Sequence, residues 1–260
     1  SAVGSTLDIG ANILIHGTRQ GTVGSASLGL ANHGTIKADA AGMTITVTGT
    51  NWTNDGTLWA NTGTITTAGS WSSSGASDLI QVDTTGTLNL GGTFAASSVT
   101  GNITRAGSSA INLTSTLDLA AGSYDLGAAN NLGNLALQNG STIQNGTLLT
   151  NNSTTAAVAS FSNVTFTGIT LGNGTANSGN VTINTGSDLR IGSGGIDLNA
   201  GKITLNDTGN TTTLTLLGNG VQELRGTGEV IFGGTSSAGS VKSSAVGSTL
   251  DIGANILIHG

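Results

Sequence analysis

The chain contains no proline and no cysteine, and only 3 % of its 260 residues are aromatic and 8 % charged. Average usage would supply about 13 prolines in a chain of this length, so their absence is a strong depletion. Disordered chains are rich in proline and charge, so this composition excludes a disordered protein. Glutamate occurs only at Glu223 and Glu229, which argues against long helices. The remaining class is an all-β protein in which few positions tolerate the loss of a backbone N–H.

The charge of the chain is low and dispersed. There are 7 basic and 13 acidic residues, and the net charge is −6. The basic residues are scattered between Arg19 and Lys242, so no cluster can neutralise the phosphates of a nucleic acid. Apolar runs such as residues 13–15 are far too short to cross a membrane. We therefore expect neither a nucleic-acid partner nor a membrane span.

One long segment occurs twice. Residues 1–17 read SAVGSTLDIGANILIHG, and residues 244–260 are identical, at an offset of 243 residues. Near-identical tandem repeats indicate an extended array. We predict that residues 1–243 form one repeat unit and that residues 244–260 begin the next copy. An engineered duplication of one strand is the alternative.

A shorter period runs inside the long one. Between residues 181 and 216, apolar residues recur in pairs spaced by two, the pattern of strands with one buried face. These pairs are Val181/Ile183, Leu189/Ile191, Ile196/Leu198, Ile203/Leu205 and Leu214/Leu216. The step from Val181 to Ile203 recurs between the similar segments 32–36 and 54–58, and nearly the same step joins residues 63–64 to 86–87.

This period predicts a single-stranded parallel β-helix, that is, a three-sided β-solenoid with about 22 residues per coil and about 12 coils. At about 4.8 Å per coil, such a rod would be roughly 55–60 Å long. Central strands exclude proline, the thin core would exclude aromatic rings, and the 43 glycines would serve the corners. An antiparallel β-sandwich is the main competitor, because its strands recur at similar spacing.

Three segments carry the pattern Asn-x-Gly-Thr-Ile/Leu: residues 32–38 (NHGTIKA), 54–60 (NDGTLWA) and 61–67 (NTGTITT). This pattern resembles the filamentous haemagglutinin-type repeats of large bacterial surface proteins of the two-partner secretion class and, more loosely, autotransporter passengers. The resemblance covers residues 32–67 and implies a right-handed β-helical shaft, export, and a role in adhesion or surface coating. The secretion domain of that family carries Asn-Pro motifs, which this proline-free chain lacks.

Candidate catalytic groups are few. Asp118 and Asp125 form the closest regular carboxylate pair near a predicted strand end. Two further acid–base pairs, Asp188 with Arg190 and Asp197 with Lys202, could stack on adjacent sides of the solenoid, as in polysaccharide-active β-helices. Solvated polar residues on outward positions are the simpler interpretation. The three histidines, His16, His33 and His259, are too few for a metal site, because His259 repeats His16. We expect no catalysis, no cofactor and no metal.

The three tryptophans, Trp52, Trp59 and Trp71, lie close together in the chain. Trp59 follows Leu58 and should point outward. Exposed rings beside Asn and Thr suit a glycan-binding platform, because flat rings pack against sugars. The alternative is a structural stack at a coil corner or a contact with a neighbouring rod. Threonine runs at residues 43–48 and 211–216 leave ice binding as a further, weaker hypothesis, with strand propensity as the simpler explanation.

The leading functional expectation is a non-catalytic repeat unit of an extracellular β-helical fibre or adhesin shaft on a bacterial cell surface. Its partners would be further copies of the same repeat, end to end, as a covalent tandem or as stacked subunits. Lateral contacts between rods or with surface glycans are also open. The alternative is a glycan-binding adhesin module that uses the tryptophan segment, and a polysaccharide-active enzyme is a distant third.

Overall fold

A computed structural model describes residues 4–73, 75, 78–107, 109–126, 132, 135–150, 156–192, 194–244 and 246–260. The fold is a parallel β-solenoid that is nearly all strand, with about 10 turns of ~23 residues each. The described residues contain one 3₁₀ turn, Ala96–Ser98. The structure thus confirms the predicted fold class, with about 10 turns in place of the expected 12.

The chain forms two compact units, which are described separately. Unit 1 comprises Ser1–Leu117 and Ala129–Leu132, and unit 2 comprises Asp118–Ala128 and Gly133–Gly260. The strands of unit 1 are β1 (Thr6–Ile9), β2 (Leu14–His16), β3 (Gly21–Gly24), β4 (Gly29–Asn32), β5 (Thr35–Ala38), β6 (Thr44–Asn54), β7 (Thr57–Ala60), β8 (Thr64–Ser72), β9 (Leu79–Val82), β10 (Thr87–Leu90), β11 (Thr93–Ala95), β12 (Ile103–Arg105) and β13 (Ala110–Leu113). Strand β14 (Thr116–Asp118) ends at the boundary. The strands of unit 2 are β15 (Ser123–Asp125), β16 (Leu135–Leu137), β17 (Thr142–Leu149), β18 (Ala156–Val158), β19 (Asn163–Leu171), β20 (Asn180–Asn184), β21 (Asp188–Ile191), β22 (Ile196–Asp207), β23 (Thr212–Leu216), β24 (Val221–Gly234), β25 (Gly239–Ser243), β26 (Thr249–Ile252) and β27 (Ile256–His259).

Unit 1 contains three series of parallel strands, in which each strand or half-strand pairs with its equivalent one coil away. The first series is β2–β5–β7–β9–β12. The second joins β3, the N-terminal halves of β6 and β8, β10 and β13. The third joins β1, β4, the C-terminal halves of β6 and β8, and β11. Thr35 pairs with Thr57 in the first series, and Ile45 pairs with Ile65 in the second, so the coils differ only slightly in length. Parallel pairing between coils excludes the antiparallel sandwich.

Unit 2 is built in the same way but with longer coils. Its first series joins the N-terminal halves of β17 and β19 with β21, β23 and β25. The second joins β15, the C-terminal halves of β17 and β19, the N-terminal halves of β22 and β24, and β26. The third joins β16, β18, β20, the C-terminal halves of β22 and β24, and β27. Val181 pairs with Ile203 as the sequence predicts, whereas Ile196 pairs with Leu224, which is a longer step along the chain. Because these coils contain more residues each, the chain makes fewer turns than a uniform period of about 22 residues predicts.

The core is an aliphatic ladder. All ten apolar residues that the sequence predicts to face inward between residues 181 and 216 are at most 1 % exposed. The polar side chains between them alternate toward the outside, as the pleat of a strand requires. The pattern of apolar residues spaced by two is therefore a reliable indicator of the buried face here.

Aromatic rings also occupy the core, so the expectation that it is too thin for them is wrong. Phe166 is 1 % exposed, and Trp52 is fully buried beside a corner of unit 1. The missing side chain of Gly49 leaves room for the Trp52 ring, because a Cβ at that glycine would lie 3.0 Å from Trp52 Cβ and 3.2 Å from Cδ1. A ring can also stack on a ring of the next coil, so each coil need enclose only one.

The Asn-x-Gly-Thr motif has a structural explanation in unit 1. Asn32 and Asn54 face inward and are fully buried, and Asn32 Nδ2 donates a hydrogen bond of 2.7 Å to Asn54 Oδ1. The motif glycines also stack closely, because a Cβ on Gly56 would lie 2.2 Å from the carbonyl oxygen of Gly34. The third motif, at Asn61, lies on another side of the coil and is half-buried.

Candidate functional site

Trp52 and Trp71 are interior residues. Their rings stack with centroids 5.5 Å apart, and Phe94 extends the stack at 4.7 Å from Trp71. Each indole N–H donates to a backbone carbonyl, that of Ala68 for Trp52 (2.8 Å) and that of Gly91 for Trp71 (2.9 Å). Trp52 is 0 % and Trp71 is 4 % exposed.

The expected surface shared by three tryptophans is therefore wrong. Trp52 and Trp71 instead form a structural stack, because their strands resume directly after the corner and turn both rings inward. Trp59 lies outward and is half-buried, opposite in direction to the fully buried Leu58, as predicted. Binding of a ligand by Trp59 stays a prediction.

Trp59 belongs to a row of outward side chains on the series β2–β5–β7–β9–β12. The row, called here the outer row, consists of His16, Lys37, Trp59, Gln81 and Thr104. Lys37 Nζ lies 4.0 Å from the centre of the Trp59 ring, a cation–π contact. One aromatic ring therefore lies between a cation and an amide on a regular polar surface.

Asp83 is the hydrogen-bonding centre beside the outer row. Its Oδ2 accepts hydrogen bonds from Trp59 Nε1 (2.9 Å) and Asn61 Nδ2 (2.6 Å), and its Oδ1 accepts one from Gln81 Nε2 (2.9 Å). The hydrogen bond from Gln81 lowers the pKa of Asp83, and the bonds from Asn61 and Trp59 and the charge of Lys37 outweigh the opposing effect of burial. Asp83 is thus an ionised acceptor at this surface.

Sequence reasoning did not identify Asp83, although the coil period could have done so. Asp83 follows Asn61 by one coil, and Gln81 follows Trp59 by the same step. Applying that period to each polar residue would have placed Asp83 and its donors on one surface.

Asp188 and Arg190 meet on unit 2 as predicted. Arg190 Nε donates to Asp188 Oδ2 at 2.8 Å, and the hydroxyls of Thr213 and Thr215 both donate to Asp188 Oδ1 at 2.6 Å. A depression of about 310 Å³ is lined in part by Asp188, Arg190, Thr215 and Lys242. Its described lining supplies one carboxylate, whereas glycoside hydrolysis generally needs two across the scissile bond.

The other charged candidates pair with different partners. Lys202 Nζ lies 3.4 Å from Glu229 Oε1, and Arg225 Nε lies 4.0 Å from Asp197 Oδ2. Both contacts join residues that are opposite each other on β22 and β24. The structure thus gives Asp197 and Lys202 partners on β24, away from the predicted stack with Asp188.

Asp118 is held by its neighbours. Its Oδ2 accepts a hydrogen bond of 2.9 Å from Gln144, its Oδ1 accepts one of 2.8 Å from the backbone of Ala120, and the Asn145 amide lies 3.3 Å away. The hydrogen bond from Gln144 contributes most to lowering the pKa of Asp118, and the bonds from Ala120 and Asn145 lower it further. Burial raises this pKa, but by less than the hydrogen bonds lower it. Asp125, the other member of the predicted pair, ends β15.

Among the described residues, no group of three or more His, Asp or Glu side chains could hold a metal ion.

The threonine run at residues 43–48 continues into neighbouring coils. Two outward rows, each of three threonines, lie on this side: Thr44, Thr64 and Thr87, and Thr22, Thr46 and Thr66. The second row continues as asparagine, because Asn89 donates to Thr66 Oγ1 (3.2 Å) and Asn112 donates to Asn89 Oδ1 (2.8 Å). In the run at residues 211–216, Thr213 and Thr215 face the same side as Asp188 and Arg190, but they are covered, at 5 % and 4 % exposure.

The repeat segment means residues 1–17 and 244–260, and its described residues, from 4 to 17 and from 246 to 260, fold alike in both copies. The first copy forms β1 and β2 in unit 1, and the second forms β26 and β27 in unit 2. Between the strands, the N–H of Ile13 donates to the carbonyl of Gly10 at 2.9 Å, and the N–H of Ile256 donates to that of Gly253 at 3.0 Å. The turn is therefore set by the segment itself.

The two copies differ in the side on which they are paired. The first copy pairs with the coil that follows it, whose N–H groups donate to its carbonyls: Gly29 to Ser5 (3.0 Å), His33 to Ile9 (2.8 Å) and Thr35 to Ile13 (2.9 Å). The second copy pairs with the coil that precedes it, through Thr249 donating to Gly220 (2.9 Å), Gly253 donating to Leu224 (2.8 Å) and Gly228 donating to Asn255 (3.4 Å).

Comparisons with protein families, with curated proteins and with solved structures found no match to this chain. Within the described part of the chain, no helix is long and apolar enough to cross a membrane.

Proposed function

We propose that this chain is a non-catalytic structural repeat unit of a long extracellular β-solenoid fibre or adhesin shaft, carried on a bacterial cell surface. The filamentous haemagglutinin-like motif supports this class of protein, and its expectation of a right-handed shaft belongs to the same proposal. Further copies of the unit are the proposed partners.

The observation that carries the proposal is the repeat segment. Identical residues recur at an offset of 243, and both copies form the same two strands and the same turn. A protein built from such units needs no separate interface between them, because each unit continues the strand ladder of the one before. Repeat proteins of this kind derive their stability from each repeat and its nearest neighbours.

The mechanical role follows from the stacking. Each central coil bonds to the coils on both sides through its backbone, and its inward side chains pack as a continuous apolar ladder. Extending the chain therefore adds bonds and buried surface in proportion to length. The weakly charged exterior, with 8 % charged residues in the whole chain, suits a solvated spacer more than a steered binding surface.

Electron microscopy of the full-length protein in which this unit occurs tests the proposal. We expect filaments of uniform width on the cell surface that label along their length with antibodies raised against this chain. Cells that lack the gene serve as the control. Compact particles, or label confined to the cytoplasm, would contradict a fibre.

A glycan-binding module is the second candidate, and it now depends on Trp59 and the groups around it. An outward indole beside Asp83, Asn61 and Lys37 offers a ring face and polar partners, which sugars use together. A polysaccharide-active enzyme has no comparable support, because the described lining of the depression beside Asp188 supplies one carboxylate where glycoside hydrolysis generally needs two.

Pull-down on insoluble chitin and cellulose tests this candidate. If the outer row binds glycans, Trp59→Ala should lower retention at least about tenfold, which corresponds to ~1.4 kcal/mol of lost contact. Trp71→Phe serves as the control, because that ring is buried. Equal retention of the wild-type and Trp59→Ala chains, or none by either, would remove the glycan candidate.

A further inference from the structure

We propose that the repeat segment is a shared junction coil, which bonds to the end of one unit and to the start of the next copy at the same time. This inference rests on the proposed fibre of covalent tandem copies. The partner is a second copy of the same chain, continuing directly from Gly260 with the equivalent of residue 18. The second copy of the segment would then receive on its free side the coil that residues 29–37 form against the first copy.

The backbone supports such a double role. The first copy bonds to the following coil through the backbone groups of Ser5, Ile9 and Ile13. The second copy bonds to the preceding coil through Thr249, Gly253 and Asn255, which correspond to Thr6, Gly10 and Asn12. No position occurs in both sets. Successive residues of a parallel strand point their N–H and C=O groups to opposite neighbours, so one coil can form both sets of bonds together.

The inward side chains are also in phase. Three positions of the repeat segment face buried residues in each copy: Leu7, Ile9 and Ile15 lie opposite Leu30, Asn32 and Ile36, while Leu250, Ile252 and Ile258 lie opposite Gln222, Leu224 and Val230. All six partners are at most 2 % exposed. A shift of one residue would turn these positions outward, so agreement at all three fixes the register across the junction.

The histidine of the segment fits between two carboxylates. In the first copy, His16 Nδ1 lies 2.9 Å from Asp39 Oδ2. In the second copy, His259 Nε2 lies 3.5 Å from Glu229 Oε2. The contacts use different ring nitrogens, so one histidine at the junction can contact both carboxylates.

The exposed apolar residues of the segment indicate what is missing on each free side. Leu7 in the first copy is 44 % exposed, and Ile252 in the second is 43 % exposed, although both are inward positions of the ladder. In the other copy, the equivalent residues Leu250 and Ile9 lie opposite the buried Gln222 and Asn32. An unpaired apolar strand edge is prone to association, and a neighbouring unit removes it.

Hydrogen exchange tests the shared coil. We compare the 260-residue chain with a chain in which Gly260 is followed directly by a second copy of residues 18–260. The amides of Leu250 and Ile252 point away from the preceding coil, so they should exchange freely in the single chain. In the tandem chain we expect their protection to rise at least about 100-fold, because they become interior ladder groups.

The amides of Thr249 and Gly253 serve as internal controls, since they already bond to the preceding coil in the single chain. In the tandem chain, Leu250→Asp should abolish the gain in protection, whereas the outward Asp251→Asn should retain it. Unchanged exchange at Leu250 and Ile252, or a second copy that fails to fold on this coil, would overturn the proposal.

The hydrogen-exchange result can be distinguished from the result of the electron microscopy that tests the fibre. Filaments in micrographs together with fast exchange at Leu250 and Ile252 would overturn the shared coil and keep the fibre. Protected amides without filaments would overturn the fibre alone.

Discussion

Polar residues of this chain are paired mainly across coils. Asn32 bonds to Asn54, Asn61 bonds to Asp83, and Asp188 accepts from Thr213 in the next coil. Such hydrogen bonds connect the polar side chains of adjacent coils, just as packing connects the aliphatic side chains of adjacent coils in the core. A polar residue is therefore best interpreted together with the residues one coil period before and after it.

Asp188 gives this pairing a pH dependence. Burial raises the pKa of its carboxyl, but the hydrogen bonds from Arg190, Thr213 and Thr215 and the charge of Arg190 lower it more, so the folded-state pKa lies below the usual value. A lowered folded-state pKa adds stability above the unfolded value of about 3.9, and this stability is lost as the pH falls through the folded pKa.

We therefore expect Asp188→Asn to lower the free energy of unfolding by about 1–3 kcal/mol at pH 7 and to reduce the further loss on acidification below about pH 4. Urea unfolding at pH 7 and at pH 3, followed by circular dichroism, measures both effects. Thr215→Val removes one donor and should give an intermediate result. An acid response in Asp188→Asn equal to that of the wild type would show that other carboxylates determine it.

At the scale of the coil, the corners restrict the sequence more than the sides do. Gly69 has a φ of 74°, and a Cβ there would lie 2.0 Å from the carbonyl oxygen of Gly49 in the preceding coil. Gly42 has nearly the same φ of 72°, but a Cβ on it would have no atom within 4 Å. The two positions thus separate backbone strain from crowding between coils.

Gly42→Ala should cost about 1–2 kcal/mol, the strain of a left-handed non-glycine residue. Gly69→Ala should cost roughly 1–3 kcal/mol more, because the corner must also move away from the preceding coil. Equilibrium unfolding in guanidinium chloride measures the difference between the variants. An equal loss in the free energy of unfolding for the two variants would contradict the close packing of the Gly69 corner against the preceding coil.

The strands on the sides of each coil could be predicted from the amino-acid sequence, whereas the corners could be predicted only in part. Val181 and Ile203 alternate with polar residues and recur at the coil period, so strand, face and partner follow from spacing alone. The buried positions of Trp52 and Trp71 do not follow from spacing, because the strand bends at Asn51, with a φ of 49°, and its inward positions restart after the bend. A bend of this kind resets the alternation, and no periodic signal marks it.

At the scale of the whole chain, the sequence predicts the class of fold and the long repeat but not the number of turns. Coil length depends on how many residues each corner accommodates, and the step between paired residues is shorter from Ile45 to Ile65 than from Val221 to Thr249. Loops of different length close the same coil at similar cost, because closure entropy changes slowly with length. The short period therefore remains visible only where the corners are tight.

The placement of the indoles has an optical consequence. All three tryptophans lie in unit 1, whereas unit 2 contains the single tyrosine, Tyr124. Intrinsic tryptophan fluorescence thus follows the unfolding of unit 1 alone, while far-ultraviolet circular dichroism follows the strands of both units. The protein carries a natural label that distinguishes its two units without any chemical modification.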